Sequence, residues 1–81
     1  MIMELKDKLV QHIQDVISVD VLNYVYSKMC LERIPLKIAD SYLYNQIDDL
    51  VQEYIQDNEL SQEWFEENFF DVDDLFDKCL D

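Results

Sequence analysis

Histidine and cysteine can act as a general base at neutral pH, as a thiolate nucleophile and as zinc ligands, and this sequence contains three such side chains. They are His12, the single histidine, and the two cysteines, Cys30 and Cys79. Nucleophilic catalysis needs a base within hydrogen-bond reach, and a zinc site needs three or four ligands. His12 has only Asp15 within one helical turn, and neither cysteine belongs to a CxxC motif. We expect an exposed helical histidine and two reduced cysteines that pack as small buried hydrophobic residues.

Residues 57–62 have oxygen-bearing side chains at the first, third and fifth positions of a calcium-loop pattern. The sixth position requires glycine but is Gln62, and the twelfth requires glutamate but is Asn68. This segment is therefore interpreted as a link between helices, with Ser61 as the N-cap of the second one. The chain also contains no glycine, which excludes P-loop and dinucleotide-binding motifs. The sequence predicts a protein that is not an enzyme and that holds no cofactor and no metal.

Length and hydropathy point to one small folded domain. The chain has 81 residues, of which 49% are hydrophobic, so it can form a single thin core but not two. Apolar runs are short and interrupted by charges, which predicts no membrane span and no secretory signal. We expect one domain over residues 1–81, located in the cytoplasm.

Apolar periodicity predicts a helix over residues 2–17, a second that is capped by Ser18 and runs to about Leu31, and a third that is capped by Asp40 or Ser41. Pro35 ends the second helix, and the residues around it form a link with, at most, a helical turn. Two short helices follow, capped by Ser61 and Asp71; one bent helix is the alternative. The fold class is all-α, a small single-domain bundle of four to five helices, with the N-terminal pair packed against the third helix.

Each predicted helix has an apolar face. Asn58 is expected to end the third helix in a left-handed conformation, since no glycine is present. The second helix has a stripe of Leu22, Val25, Tyr26 and Met29. Further apolar residues off that stripe predict that this helix is central in the bundle; the alternative is that one of its faces meets another protein. Those additional residues are Val21, Tyr24 and Leu31. The core stripes of the first and third helices are Ile2, Leu5, Leu9, Ile13 and Val16 or Ile17, and Leu43, Ile47, Leu50, Val51, Tyr54 and Ile55.

The charge of the chain is unevenly distributed. Residues 1–40 carry six acidic and five basic residues, a net charge of −1, whereas residues 41–81 carry thirteen acidic residues and only Lys78, a net charge of −12. Acids recur at helical spacing in this second half, which disfavours direct binding of nucleic acid and favours a basic protein partner. The candidate partner-binding residues are Asp49, Glu53, Asp57, Glu63, Glu66, Glu67, Asp73, Asp74 and Asp77.

Three functions fit this acidic half. The first is a protein-binding domain that docks on a charge-complementary basic surface. In size and charge the chain also resembles small acidic helical inhibitors of phages and mobile elements, which implies a DNA mimic that occupies the basic groove of a nucleic-acid-binding protein. The third is an antitoxin-like partner of a basic toxin. A purely solubilising acidic surface is the structural alternative, and the net charge favours a monomer or a weak homodimer.

Overall fold

The computed structural model describes residues 3–80 and consists of helices joined by short links, with no strand in that range. The predicted all-α class is confirmed. The link around Pro35 contains a helix of its own, which raises the number of helices to six, and the two C-terminal helices are separate. The helices are α1 (Leu5–Val16), α2 (Val19–Glu32), α3 (Leu36–Ala39), α4 (Ser41–Asp57), α5 (Gln62–Phe69) and α6 (Val72–Lys78).

Side-chain caps begin four of the six helices. Ser18 accepts a hydrogen bond from the backbone N–H of Asp20 at 3.2 Å, and Asp40 accepts one from that of Leu43 at 3.0 Å. Ser61 and Asp71 start α5 and α6 in the same way, each through the N–H three residues later. These bonds satisfy donors that have no partner within the helix, so the predicted caps are confirmed.

Helix ends in this glycine-free chain use larger residues with positive φ. The prediction for Asn58 was wrong by one position: Asn58 has φ −107°, and Glu59 takes the left-handed conformation with φ 55°. The N–H of Leu60 then donates to the carbonyl of Ile55 at 2.8 Å, and that of Glu59 to Gln56 at 3.3 Å. This is the bond pattern of a Schellman motif, in which the residue after the C-cap turns the chain.

α4 lies at the centre of the fold, with α1, α3 and α6 packed against it. Four of its predicted core residues are buried, whereas Leu50 and Tyr54 are only partly buried. On α1, Leu9 and Ile13 are buried, while Leu5 and Val16 are exposed; Ile2 lies outside the described residues. The buried core is Leu9, Ile13, Ile17, Leu22, Val25, Leu36, Ala39, Leu43, Ile47, Val51, Ile55, Phe65, Phe69, Val72, Leu75, Phe76 and Cys79.

The prediction that α2 is central was wrong. α2 packs mainly against the short α3, and its second apolar face, formed by Val21, Tyr24 and Leu31, is exposed. The C-terminal helices do not cover that face, because α6 packs on α4 and α5 packs on α6. The predicted packing of α1 against α4 is present.

Three long-range hydrogen bonds fasten the ends of the chain to the bundle. Gln14 Nε2 donates to the carbonyl of Cys79 at 2.9 Å, and the hydroxyl of Tyr54 donates to the carbonyl of Leu5 at 2.9 Å. The third bond joins α3 to α6 and is described with the acidic surface. Gln14 therefore belongs to the contact between α1 and the segment that follows α6.

Candidate functional site

The residue types suited to catalysis are dispersed in the structure. His12 is exposed, as expected, on the outer side of α1. Cys79 is buried, and burial raises the pKa of its thiol to about 11, which makes it a poor nucleophile. Cys30 is exposed, so its predicted burial was wrong; it lies on a part of α2 that faces away from the core. A hydrogen bond with Cys30 raises the pKa of the exposed Tyr26.

Within residues 3–80, no three His, Cys, Asp or Glu side chains are grouped closely enough to hold a metal ion. The segment that resembled a calcium loop forms the end of α4, a turn at Glu59 and the Ser61 cap of α5. None of the described helices combines the length and the apolar character that crossing a bilayer requires.

The acidic residues of α4 form one continuous exposed row. Asp49, Glu53 and Asp57 are all exposed and follow one another at intervals of four residues. Side chains at this spacing lie one above the other on a helix, about 6 Å apart. The row therefore runs along the side of α4 that faces away from its buried stripe.

α5 carries three further exposed acids, and its start contacts α4. Gln52 Nε2 of α4 donates to Gln62 Oε1 of α5 at 3.3 Å, and the rings of Tyr54 and Trp64 have centroids 6.3 Å apart. These contacts join the second half of α4 to the start of α5. We call the combined set the α4–α5 acidic surface; its members, all exposed, are Asp49, Glu53, Asp57, Glu63, Glu66 and Glu67.

The candidate acids of α6 are less exposed than those of α4 and α5, and some of them form bonds within the protein. Asp73 is half-buried, and its Oδ2 accepts a hydrogen bond from the backbone N–H of Leu36 at 3.2 Å. Asp74 Oδ2 receives Lys78 Nζ at 3.0 Å, one helical turn away. Only Asp77 of this group is fully exposed, and Asp81 lies outside the described residues. Two of the three candidate acids of α6 are therefore engaged within the protein.

Cations do not neutralise the α4–α5 acidic surface in the described part of the chain. The ion pairs found there are Lys6 with Glu4, at 3.6 Å, and Lys78 with Asp74. Neither pair involves a residue of α4 or α5. Like charges one turn apart repel by roughly 0.2–0.5 kcal/mol per pair, so this surface is electrostatically unfavourable in the isolated protein.

Sequence reasoning missed one feature of this region, the exposed aromatic ring of Phe70. Phe70 is 78% exposed and has φ 69° and ψ −63°, with the N–H of Asp71 donating to the carbonyl of Phe69 at 2.8 Å. This is a γ-turn with positive φ, a conformation that is strained for any residue with a side chain. The adjacent pair of phenylalanines was the only sequence signal, and it did not tell which ring is buried.

A half-open groove of about 470 Å³ between α1 and the C-terminal helices was also missed, because its walls are far apart in sequence. Val10 and Phe69 form its apolar part, and Lys6 and Lys78 lie at its edge. Both lysines are already paired with acids, as described above. The other charged residue of its lining is Asp7, and no cluster of reactive groups is present among the lining residues.

Comparison with known proteins gave no relative. No family model, no curated protein and no solved structure matches this chain.

Proposed function

We propose that this domain binds a basic protein through the α4–α5 acidic surface. The observation that carries the proposal is a set of six exposed carboxylates on two adjacent helices, without a cation paired to any of them in the described residues. A partner that brings lysine or arginine side chains would relieve their mutual repulsion, and electrostatic steering would speed its association.

Phe70 supplies an apolar anchor for the same partner. It directly follows α5, and its backbone N–H donates to the carbonyl of Glu66 at 3.0 Å, so the ring projects at the end of the helix that carries three of the six acids. Interfaces typically combine one or a few buried aromatic side chains with a charged rim. The proposed partner therefore has an apolar pocket with basic residues around it.

Capture from a lysate tests this proposal. The immobilised domain should retain basic proteins at low salt and release them at high salt, because exposed ion pairs are screened. A variant with Asp49, Glu53 and Asp57 changed to Lys should lose them while keeping its helical circular dichroism spectrum. The matched control changes three exposed acids at the N-terminal end, Glu4, Asp7 and Asp15, to Lys. Equal loss of binding in both variants would show that net charge, not this surface, governs retention.

A DNA-mimic inhibitor is the second candidate, and the α4 row is the observation that favours it. Carboxylates spaced by one helical turn present charges at intervals close to those of backbone phosphates. A mimic occupies the nucleic-acid groove of its partner, so duplex DNA should displace the domain from a captured protein. An ordinary docking partner would bind both at once, and added DNA would leave the complex intact.

A further inference from the structure

A second apolar stripe runs along α2 on the side away from the core. Val21, Tyr24 and Leu31 are 46%, 75% and 85% exposed, whereas Leu22 and Val25 on the same helix are buried. No other part of the described chain covers this stripe. Apolar side chains are exposed singly on most proteins, but three along one line of a helix form a continuous surface.

The spacing of this stripe identifies the shape of its partner. Val21, Tyr24, Lys28 and Leu31 are separated by three, four and three residues, the a and d positions of two heptads. Lys28 contributes its aliphatic stem, since its Nζ donates sideways to the carbonyl of Ala39 at 3.2 Å. Side chains at a and d positions pack into the gaps of a second helix that lies nearly parallel or antiparallel to the first.

The charge of this region identifies the chemistry of the partner. α2 carries Asp20, Glu32 and Lys28, and Arg33 follows it, so this region has no net charge. A basic partner is attracted instead to the acidic half, which is far more strongly charged. The stripe therefore suits an uncharged apolar helix with the same heptad spacing, and α2 of a second copy has both properties. We infer that two copies of this chain associate through their α2 stripes, with the two helices antiparallel.

The antiparallel orientation follows from Lys28. A parallel pair would place the two Lys28 side chains at the same level of the interface, where like charges repel. An antiparallel pair instead places the aliphatic stem of Lys28 beside Tyr24 of the second copy and Val21 beside Leu31, so the two Lys28 side chains lie at different levels of the interface. Antiparallel helices also bring opposite ends of their dipoles together.

The resulting dimer is weak. Two heptads bury much less than the roughly 800 Å² per partner of a standard interface, so we expect a dissociation constant in the roughly 10–100 µM range. Each copy carries a net charge of −13, and repulsion between them opposes association. Added salt screens this repulsion, so the dimer should strengthen as ionic strength rises, whereas binding of a basic partner should weaken. The inference is independent of the proposed function, and salt separates the two.

Analytical ultracentrifugation of the purified chain tests the dimer. The weight-average mass should rise with concentration, and rise further in high salt. Tyr24→Glu and Leu31→Glu should each weaken association at least about tenfold, because each places a charge in an apolar contact. Tyr42→Glu is the matched control, because Tyr42 is a similarly exposed tyrosine outside α2, and it should dimerise like the parent. A mass that stays monomeric at every concentration in high salt would overturn the inference, as would loss of the dimer in the control alone.

Disulfide trapping tests the orientation, in a Cys30→Ser background so that the exposed native thiol does not react. A mixture of Val21→Cys chains and Leu31→Cys chains should form mixed disulfides, since antiparallel packing places these two positions together. Neither variant should cross-link efficiently to itself. Efficient self-cross-linking of Leu31→Cys would show a parallel pair and contradict the assigned orientation.

Discussion

The two thiols differ in environment because of the surfaces that their helices present. Cys79 directly follows α6 and is fully buried, and Gln14 of α1 donates a hydrogen bond to its carbonyl. Cys30 lies on α2, which has fewer neighbours than its apolar content suggested. A sequence pattern can place a cysteine near an apolar stripe, but it cannot tell whether another element covers that stripe.

Burial of Cys79 predicts a loss of stability at alkaline pH. Its thiol has a pKa of about 11 in the folded chain, raised by burial from an ordinary value of 9.0. Between these values the folded state keeps a proton that the unfolded state releases, so its contribution to stability is complete below about pH 9 and declines as the pH rises towards 11. Chemical denaturation from pH 8 upward should show a less steep decline in Cys79→Ala than in the parent. Val51→Ala, which truncates a buried side chain that does not titrate, should keep the slope of the parent, and identical slopes in all three proteins would contradict the assignment.

Ile47 should be among the residues whose side-chain volume matters most. It is fully buried in the middle of α4, the helix that contacts α1, α3 and α6. Ile47→Ala should lower the free energy of unfolding by about 2–4 kcal/mol, since it leaves a cavity among three helices. Leu50→Ala should cost less, because Leu50 is only partly buried. Asn45→Ala, an exposed control on the same helix, should change little; equal losses at all three sites would mean that the buried face is misassigned.

At the scale of helices, local sequence signals were sufficient for the N-caps and for the buried stripe of α4. Four N-caps and the buried stripe of α4 follow from side chains within one or two turns of one another. The exposure of the second face of α2 could not be predicted from nearby residues, since it depends on where α5 and α6 pack. The capping of α3 could not be predicted either, because Pro35 has no side-chain acceptor and the hydrogen bond comes from a residue 37 positions away.

Asp73 should therefore act as a structural residue as well as an acidic one. Its carboxylate satisfies the N–H of Leu36 at the start of α3, and Leu36 is fully buried. Asp73→Ala should destabilise the fold by roughly 0.5–2 kcal/mol, the range for losing an N-cap acceptor. Asp77→Ala removes the same charge from an exposed site on the same helix and should leave stability unchanged or slightly higher. Equal effects of the two substitutions would mean that the Asp73 bond contributes nothing.

At the scale of the whole molecule, the division of charge separates two kinds of surface. The half that is nearly neutral presents the apolar stripe of α2, and the acidic half presents the α4–α5 acidic surface. The charge division was evident from the sequence, because it needs only a count. Which acids are free was not evident, since the engagement of Asp73 and Asp74 depends on α3 and on Lys78.

Self-repulsion of the acidic half predicts that salt stabilises the monomeric fold. Only two exposed ion pairs occur in the described residues, so screening removes much more repulsion than attraction. The melting temperature, measured at concentrations well below dimer formation, should rise as sodium chloride is added. Changing Asp49, Glu53 and Asp57 to their amides should raise the melting temperature at low salt and reduce its dependence on salt, because the repelling row is removed without a change of shape. Neutralising Glu4, Asp7 and Asp15 should have a smaller effect, since that region also contains lysines. A melting temperature that falls on adding salt would show that attractive ion pairs outweigh the repulsion between the acids. The α4–α5 acidic surface would then have no net repulsion for a basic partner to relieve, which would contradict the proposed basis of binding.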